Sequence, residues 1–281
     1  MKGTFWRRAI RHPGFMLGAL LVGITVAMAI VSIVWTPHPY DNLRMALKLR
    51  PPSDVYPLGT DHRGRDLLSR IMVGAQTSIT VGLIAVSIGM TLGVMLGAWA
   101  AARRGWVDEI LSRFSDLVFA FPAVLMAILI TSVFGASATN AILAIGIFNI
   151  PVFARVTRGA ALTMWGRDFV RAAKALGLGP FSITVRHVIP NIASVLIVQA
   201  TIQFAVAILA EAGLSYLGLG AQPPVPSWGR MLYDAQTYLY DAPGLAIYPG
   251  LAIALTVLGL NMVGDGLRDL LDPRLRLMRV G

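Results

Sequence analysis

Long apolar runs separated by short polar stretches dominate this chain. A membrane-crossing helix needs about 20 consecutive, mostly apolar residues. Six runs reach or approach that length: 14–35, 79–102, 117–133, 138–153, 192–212 and 245–263. The third is entered through the amphipathic stretch 110–116. Lys2, Arg7, Arg8 and Arg11 precede the first run as they would in a signal peptide, but the run is long and no small-residue cleavage site closes it. It is therefore predicted to remain as an uncleaved first span. Gly89, Gly93, Gly97 and Ala101 recur at four-residue spacing in the second run, which places them on one helix face. Small residues there let another backbone approach closely, either as ordinary membrane packing or within a tightly packed translocation bundle.

Three polar stretches stand out between the runs. The first, 36–77, is rich in Pro, Asp and Arg, and its Gly59 and Gly64 mark turns of a folded, water-exposed cap. The second, 215–244, contains Gln222-Pro-Pro-Val-Pro-Ser-Trp-Gly-Arg230. The third, 154–191, is too long for a plain connection and is not low in complexity, so it is expected to be a functional helical insert. The predicted organisation is an N-terminal part (1–77) with the first span and outer loop, a five-helix core (78–270) carrying the insert, and a tail (271–281).

Composition supports a membrane protein. The chain is 56% hydrophobic and 14% charged, with mean hydropathy +0.68 and no Cys. Soluble domains carry about 25% charged residues, so these charges are too few to cover a water-facing surface. Disorder and a disulfide scaffold are excluded as well. The 24 Lys and Arg outnumber the 14 Asp and Glu. With the N-terminus inside, 17 of the 24 basic residues fall on cytoplasmic segments and 7 on outer ones. That asymmetry predicts both termini in the cytoplasm. It accounts for the basic character without nucleic acid as a partner.

The insert centres on Asp168-Phe-Val-Arg-Ala-Ala-Lys-Ala-Leu-Gly177, followed by Leu-Gly-Pro-Phe-Ser-Ile-Thr-Val-Arg-His-Val-Ile-Pro-Asn191. Asp168 is expected to cap a short helix whose apolar stripe is Phe169, Val170, Ala173 and Leu176. Ala172, Ala173 and Ala175 keep it slim, and Gly177, Gly179 and Pro180 stop it. A slim helix of this kind fits a groove on another protein, or lies flat on the membrane.

The segment resembles the "EAA" loop of binding-protein-dependent ABC importer permeases. Ala172, Ala173 and Gly177 match its pattern, as does the close His187-Val-Ile-Pro190. Arg171 stands where the name-giving Glu would be, which removes one polar contact with the ATPase. Three further strings are similar to the C-type permease of dipeptide, oligopeptide and nickel importers. They are Leu58-Gly-Thr-Asp-His-Arg-Gly-Arg-Asp-Leu-Leu-Ser-Arg70, Ala210-Glu-Ala-Gly-Leu-Ser-Tyr-Leu-Gly-Leu-Gly220 and Gly264-Asp-Gly-Leu-Arg-Asp-Leu-Leu-Asp-Pro-Arg274. The resemblance implies an all-α polytopic protein of six transmembrane helices in the type I ABC importer permease (MetI-like) fold, in a bacterial inner membrane. It also implies a homologous permease partner, two ATP-binding subunits and an extracytoplasmic solute-binding protein. Coupling to the ATPase is then expected through Arg171, Ala172, Ala173, Lys174, Leu176, Gly177 and Pro180.

The residues themselves carry no enzyme chemistry. Lys2, Lys48 and Lys174 sit in no phosphate-binding loop, so ATP and Mg are expected on partner subunits and no cofactor on this chain. His12, His38, His62 and His187 are scattered without metal-ligand spacing. Glu211, near the outer end of the fifth run, would either face the translocation path or pair with a loop residue such as Arg230. Asp61, Arg63, Arg65 and Asp66 are expected to brace the outer cap. Asp265, Arg268 and Asp269 should form local pairs at the inner end of the last span. An ion-gradient-driven transporter is the rival class, but neither a repeat nor paired mid-membrane acids support it. A membrane enzyme would lack a nucleophile–base pair. Short peptides are the expected substrate, with nickel, glutathione or another small solute as alternatives.

Overall fold

Each apolar run becomes helix because a backbone in hydrocarbon must satisfy its own hydrogen bonds. The computed structural model describes residues 2–271, with side chains from Trp6 onward. The predicted tail, including Asp272-Pro273-Arg274, lies outside the described residues. In chain order the helices are α1 (Lys2–Ile10), α2 (Pro13–Val34), α3 (Leu67–Arg103), α4 (Gly105–Phe119), α5 (Ala123–Phe134) and α6 (Ala138–Trp165). They continue as α7 (Asp168–Ala175), α8 (Pro180–Ile183), α9 (Ile189–Tyr216), α10 (Trp228–Ala235) and α11 (Gly244–Leu271). α8 passes through a wider turn at Thr184–Val188 directly into α9, making one 37-residue helix.

Side chains fix where several helices begin. The hydroxyls of Ser137 and Ser227 accept from the backbone N–H of Asn140 and Arg230, and the Asp66 carboxylate accepts from that of Ser69. His12 does the same for Phe15 ahead of α2, with Pro13 supplying the fixed φ of a first helical residue. Five helices are long and apolar enough to cross a membrane: α2, α3, α6, α8 with α9, and α11. Only 17–44% of the residues in their most apolar windows are buried, so most of each helix surface faces outward.

α3 and α6 form the spine of the bundle through the small-residue face foreseen in the sequence. A Cβ on Gly93 would sit 2.5 Å from the Ile150 carbonyl and 2.6 Å from the Phe153 Cβ. One on Gly97 would strike the Ala154 carbonyl, and one on Gly89 the Asn149 side chain. α2 packs on α11 in the same way, with Gly18 against the Gly259 carbonyl and Gly266 against Phe15. A buried hydroxyl pair, Thr25–Thr256 at 2.9 Å, ties the same two helices.

Four expectations are corrected. The third span is not one helix: it breaks between α4 and α5, which meet at 82°. Pro122 lacks a donor and disfavours helical geometry at Phe121, so the chain turns there. The fourth run does not stop at residue 153. α6 continues to Trp165, because Arg155 and Arg158 end the apolar run without ending the helix. The insert therefore shrinks to residues 166–191. Lastly, among the described residues Asp265 and Asp269 form no pair with Arg268; Asp269 instead meets His12 at 3.3 Å, joining α11 to the start of α2.

Candidate functional site

At the end of the bundle where α3 and α6 finish, α7 projects sideways. Arg167, not Asp168, is its capping position, and no side chain caps it. Asp168 is the first helical residue, 3.5 Å from Arg171 on the exposed surface. Val170 and Ala173 are buried against Trp165, Ala161, Ala101, Ile183, Val188 and Ile192. The predicted four-residue stripe therefore divides. Val170 and Ala173 root the helix, Phe169 is partly exposed at 6.5 Å from the His187 ring, and Leu176 points outward with 82% exposure.

The turn after α7 explains why Gly177 stands where it does. The N–H of Gly177 donates to the Lys174 carbonyl and that of Leu178 to the Ala173 carbonyl. This double closure needs a left-handed residue, and Gly177 has φ +79°. Pro180 then opens α8, which presents Phe181 with 83% exposure. Around Leu176 and Phe181 lie the exposed residues Arg171, Ala172, Ala175 and Gly177, with Arg167 and Arg186 nearby. Lys174 extends over the Trp165 ring at 5.1 Å. The result is an apolar, basic tip on a rooted base, and the seven residues expected there are brought together except that Ala173 is inside. The burial of Ala173 could not be read from a stripe of eight residues, because either side of Leu176 satisfies the same spacing.

Glu211 lies far from that tip and is 1% exposed. Its Oε1 accepts from the Ser215 hydroxyl at 2.6 Å, and that hydroxyl in turn accepts from the Ala221 N–H at 2.9 Å. Buried Ser78 of α3 and Ser227 ahead of α10 face the same carboxyl. The expected pairing with Arg230 does not occur: Arg230 stacks on Tyr233 and pairs with Asp234 at 3.3 Å. A neighbouring apolar groove of about 570 Å³ is lined by Leu209, Ala212, Gly213, Tyr216, Ile253 and Val257; Glu211 is buried and is not among its lining residues.

The cap expected within residues 36–77 is held by ion pairs that reach α10. Asp61 accepts from the N–H of Arg63 and of Arg65 and pairs with the Arg65 guanidinium at 2.7 Å. Arg65 also reaches Asp234 at 3.7 Å, and Arg70 reaches Asp61 at 3.5 Å. Trp228, fully buried, donates its indole N–H to the Ile71 carbonyl, fastening α10 to α3. His62 is half-buried and stacks on Tyr238; burial lowers its pKa below the ordinary 6.5, against the opposing influence of Asp61 and Asp234. Trp228 lies in the 222–230 string that stands out in the sequence, but its bond to Ile71, and Asp234 as a partner of Arg65, had no sequence signal because both come from the far loop.

Residues 89–277 match the family described as binding-protein-dependent transport system inner membrane component. Residues 3–52 match the N-terminal transmembrane domain of oligopeptide transport permease C. The chain is 40% identical over 273 residues to the glutathione transport system permease protein GsiD of Pectobacterium atrosepticum, covering 97% of this chain and 91% of that one. It is 39% identical over 275 residues to the dipeptide transport system permease protein DppC of Alkalihalophilus pseudofirmus, with 96% and 90% covered. Among solved structures it resembles the MetNI methionine ABC transporter in its inward-facing form. The TM-score there is 0.61 at 16% identity, over 72% of this chain and 96% of that one, a likeness of fold.

Proposed function

The chain belongs to the binding-protein-dependent transport system inner membrane components and is a permease subunit of an ABC importer, and we propose that the α7–α8 tip is where it receives the motion of an ATPase subunit. The observation carrying this is the contrast between Val170 and Ala173, held in the core, and Leu176 and Phe181, exposed on a turn closed by two backbone hydrogen bonds. A rooted lever with an apolar, basic end transmits force from a groove in a neighbouring protein. Family membership favours this reading over an ion-gradient-driven transporter.

In this reading a second, homologous permease completes the pathway and two ATP-binding subunits hold ATP and Mg. An extracytoplasmic solute-binding protein delivers the cargo. Both termini and the α7 end face the cytoplasm of an inner membrane, which requires α5 to complete a sixth crossing. ATP-driven closure of the ATPase pair pushes α7 and switches the bundle between inward- and outward-facing states. The relatives named for dipeptide and glutathione transport support a short peptide as cargo, since glutathione is itself a small peptide.

The test uses the exposed residues, because a charge at buried Ala173 would disturb folding. Leu176→Asp and Phe181→Asp, in the assembled importer, should abolish uptake of labelled dipeptide or glutathione and its stimulation of ATP hydrolysis. Membrane insertion and thermal stability should stay unchanged. Normal uptake in both variants would refute the proposal.

A further inference from the structure

We propose that α4 lies in the plane of the membrane at the α7 end of the bundle, with its outer apolar face sunk among lipid acyl chains and Arg103 and Arg104 at the phosphate headgroups.

The argument begins with the break at Pro122. α5 has 12 residues and spans about 18 Å at 1.5 Å per residue. With the three residues of 135–137 extended beyond it, α5 carries the chain back across toward the start of α6. α4 meets α5 at 82°. If α5 runs along the membrane normal, α4 runs parallel to the surface.

α4 is also sided as a surface helix is. Trp106, Ile110, Phe114 and Leu117 recur at spacings of four, four and three, and they are 74%, 57%, 54% and 62% exposed. Val107 and Ser115 face inward and are buried. Two clasps hold that inner side to α6: the bidentate pair of Arg158 with Asp108, and Arg155 with Asp116 at 2.7 Å. A third side carries the exposed pair Glu109–Arg113 at 2.8 Å. One face thus meets the bundle, one is charged and one is apolar, the division of an interfacial amphipathic helix.

Charge and position select lipid as the occupant. α3, long and apolar enough to span the membrane, ends at Arg103, so α4 starts where the chain leaves the hydrocarbon. Arg103 and Arg104 are both exposed, and of the two only Arg104 acts on a nearby acid, Asp108, across a distance longer than an ion pair. They stand beside Trp106, whose ring type favours the headgroup level. Exposed cations beside an interfacial Trp suit anionic headgroups, whereas a protein partner would need to supply matching acids at the membrane edge.

The absence of Cys from the chain makes the test direct. Phe114→Cys, and Ile110→Cys as a second variant, carry an environment-sensitive fluorophore in the assembled importer, the other subunits' cysteines having been replaced. Vesicles of phosphatidylethanolamine and phosphatidylglycerol with brominated acyl chains should remove most of the emission, and iodide should not. Quenching by iodide would place the face in water, and shielding from both quenchers would place it against another protein; either result overturns the proposal. Replacing Arg103 and Arg104 with Gln should make the labelled site more accessible to iodide. Unchanged quenching would overturn the assignment of the two arginines.

Discussion

Glu211 shows how much a single buried side chain leaves open in sequence. An acid near the end of a span reads as a pathway residue or, more readily, as half of an ion pair, and the structure buries it against a hydroxyl with no cationic partner among the described residues. Its carboxyl accepts from the Ser215 hydroxyl one turn along α9 and is packed beside Ser78 of α3 and Ser227 ahead of α10, so three elements meet around it. A residue with that role needs an acceptor of the right shape rather than a charge. Glu211→Gln should therefore transport and melt like the parent. Glu211→Leu strands the buried Ser215 hydroxyl and should cost about 1–3 kcal/mol of stability, read as a lower melting temperature of the purified complex. A changed substrate preference in Glu211→Gln with unchanged melting would instead assign the residue to the pathway. His62 makes a second prediction at this scale. Because burial holds its pKa below 6.5, the fold favours the neutral ring. Stability present above pH 6.5 falls as acid protonates the ring, and His62→Phe should lessen that decline in melts taken between neutral pH and its lowered pKa.

Among the elements, the small-residue face of α3 was the most readable, and the reason is local. The spacing of Gly89, Gly93 and Gly97 requires no knowledge of the partner helix to predict close approach, and the contacts fall on Asn149, Ile150, Phe153 and Ala154. Because the first atoms met are mainly backbone, a larger residue cannot be absorbed by a rotamer change. Gly93→Leu or Gly97→Leu should force the helices apart at about 1–3 kcal/mol or more, seen as loss of folded permease in detergent. Gly23→Leu, where nothing lies within 4 Å, should be silent. The α4–α5 break was less readable, since an apolar run with a preceding amphipathic stretch looks continuous until Pro122 is weighed as a breaker. α6 was under-read for the opposite reason: hydropathy marks where hydrocarbon ends, and helices continue past it when Arg155 and Arg158 find acids on another element.

For the whole molecule, the sequence carried the class, the number of apolar runs and the tip at α7, because each is written in contiguous residues. Contacts between distant loops were not readable: Asp234 on Arg65 and Trp228 on Ile71 depend on how the outer segments fold over one another. The attachment of the first span belongs to this group, and it carries the last prediction. α2 is fastened to α11 by four separate devices: Gly18 against Gly259, Gly266 against Phe15, the Thr25–Thr256 hydroxyls, and His12 with Asp269. The α3–α6 spine does not pass through any of them. Enlarging Gly18 should therefore detach α2 locally without dissolving the core. In the Cys-free chain, Thr25→Cys with Thr256→Cys should form a disulfide readily, as hydroxyls 2.9 Å apart imply. Adding Gly18→Leu should suppress that cross-link while the α7 tip still captures ATPase subunits during purification. Loss of both together would mean that α2 is part of the core; an undiminished cross-link would mean that the Gly18 contact does not position α2.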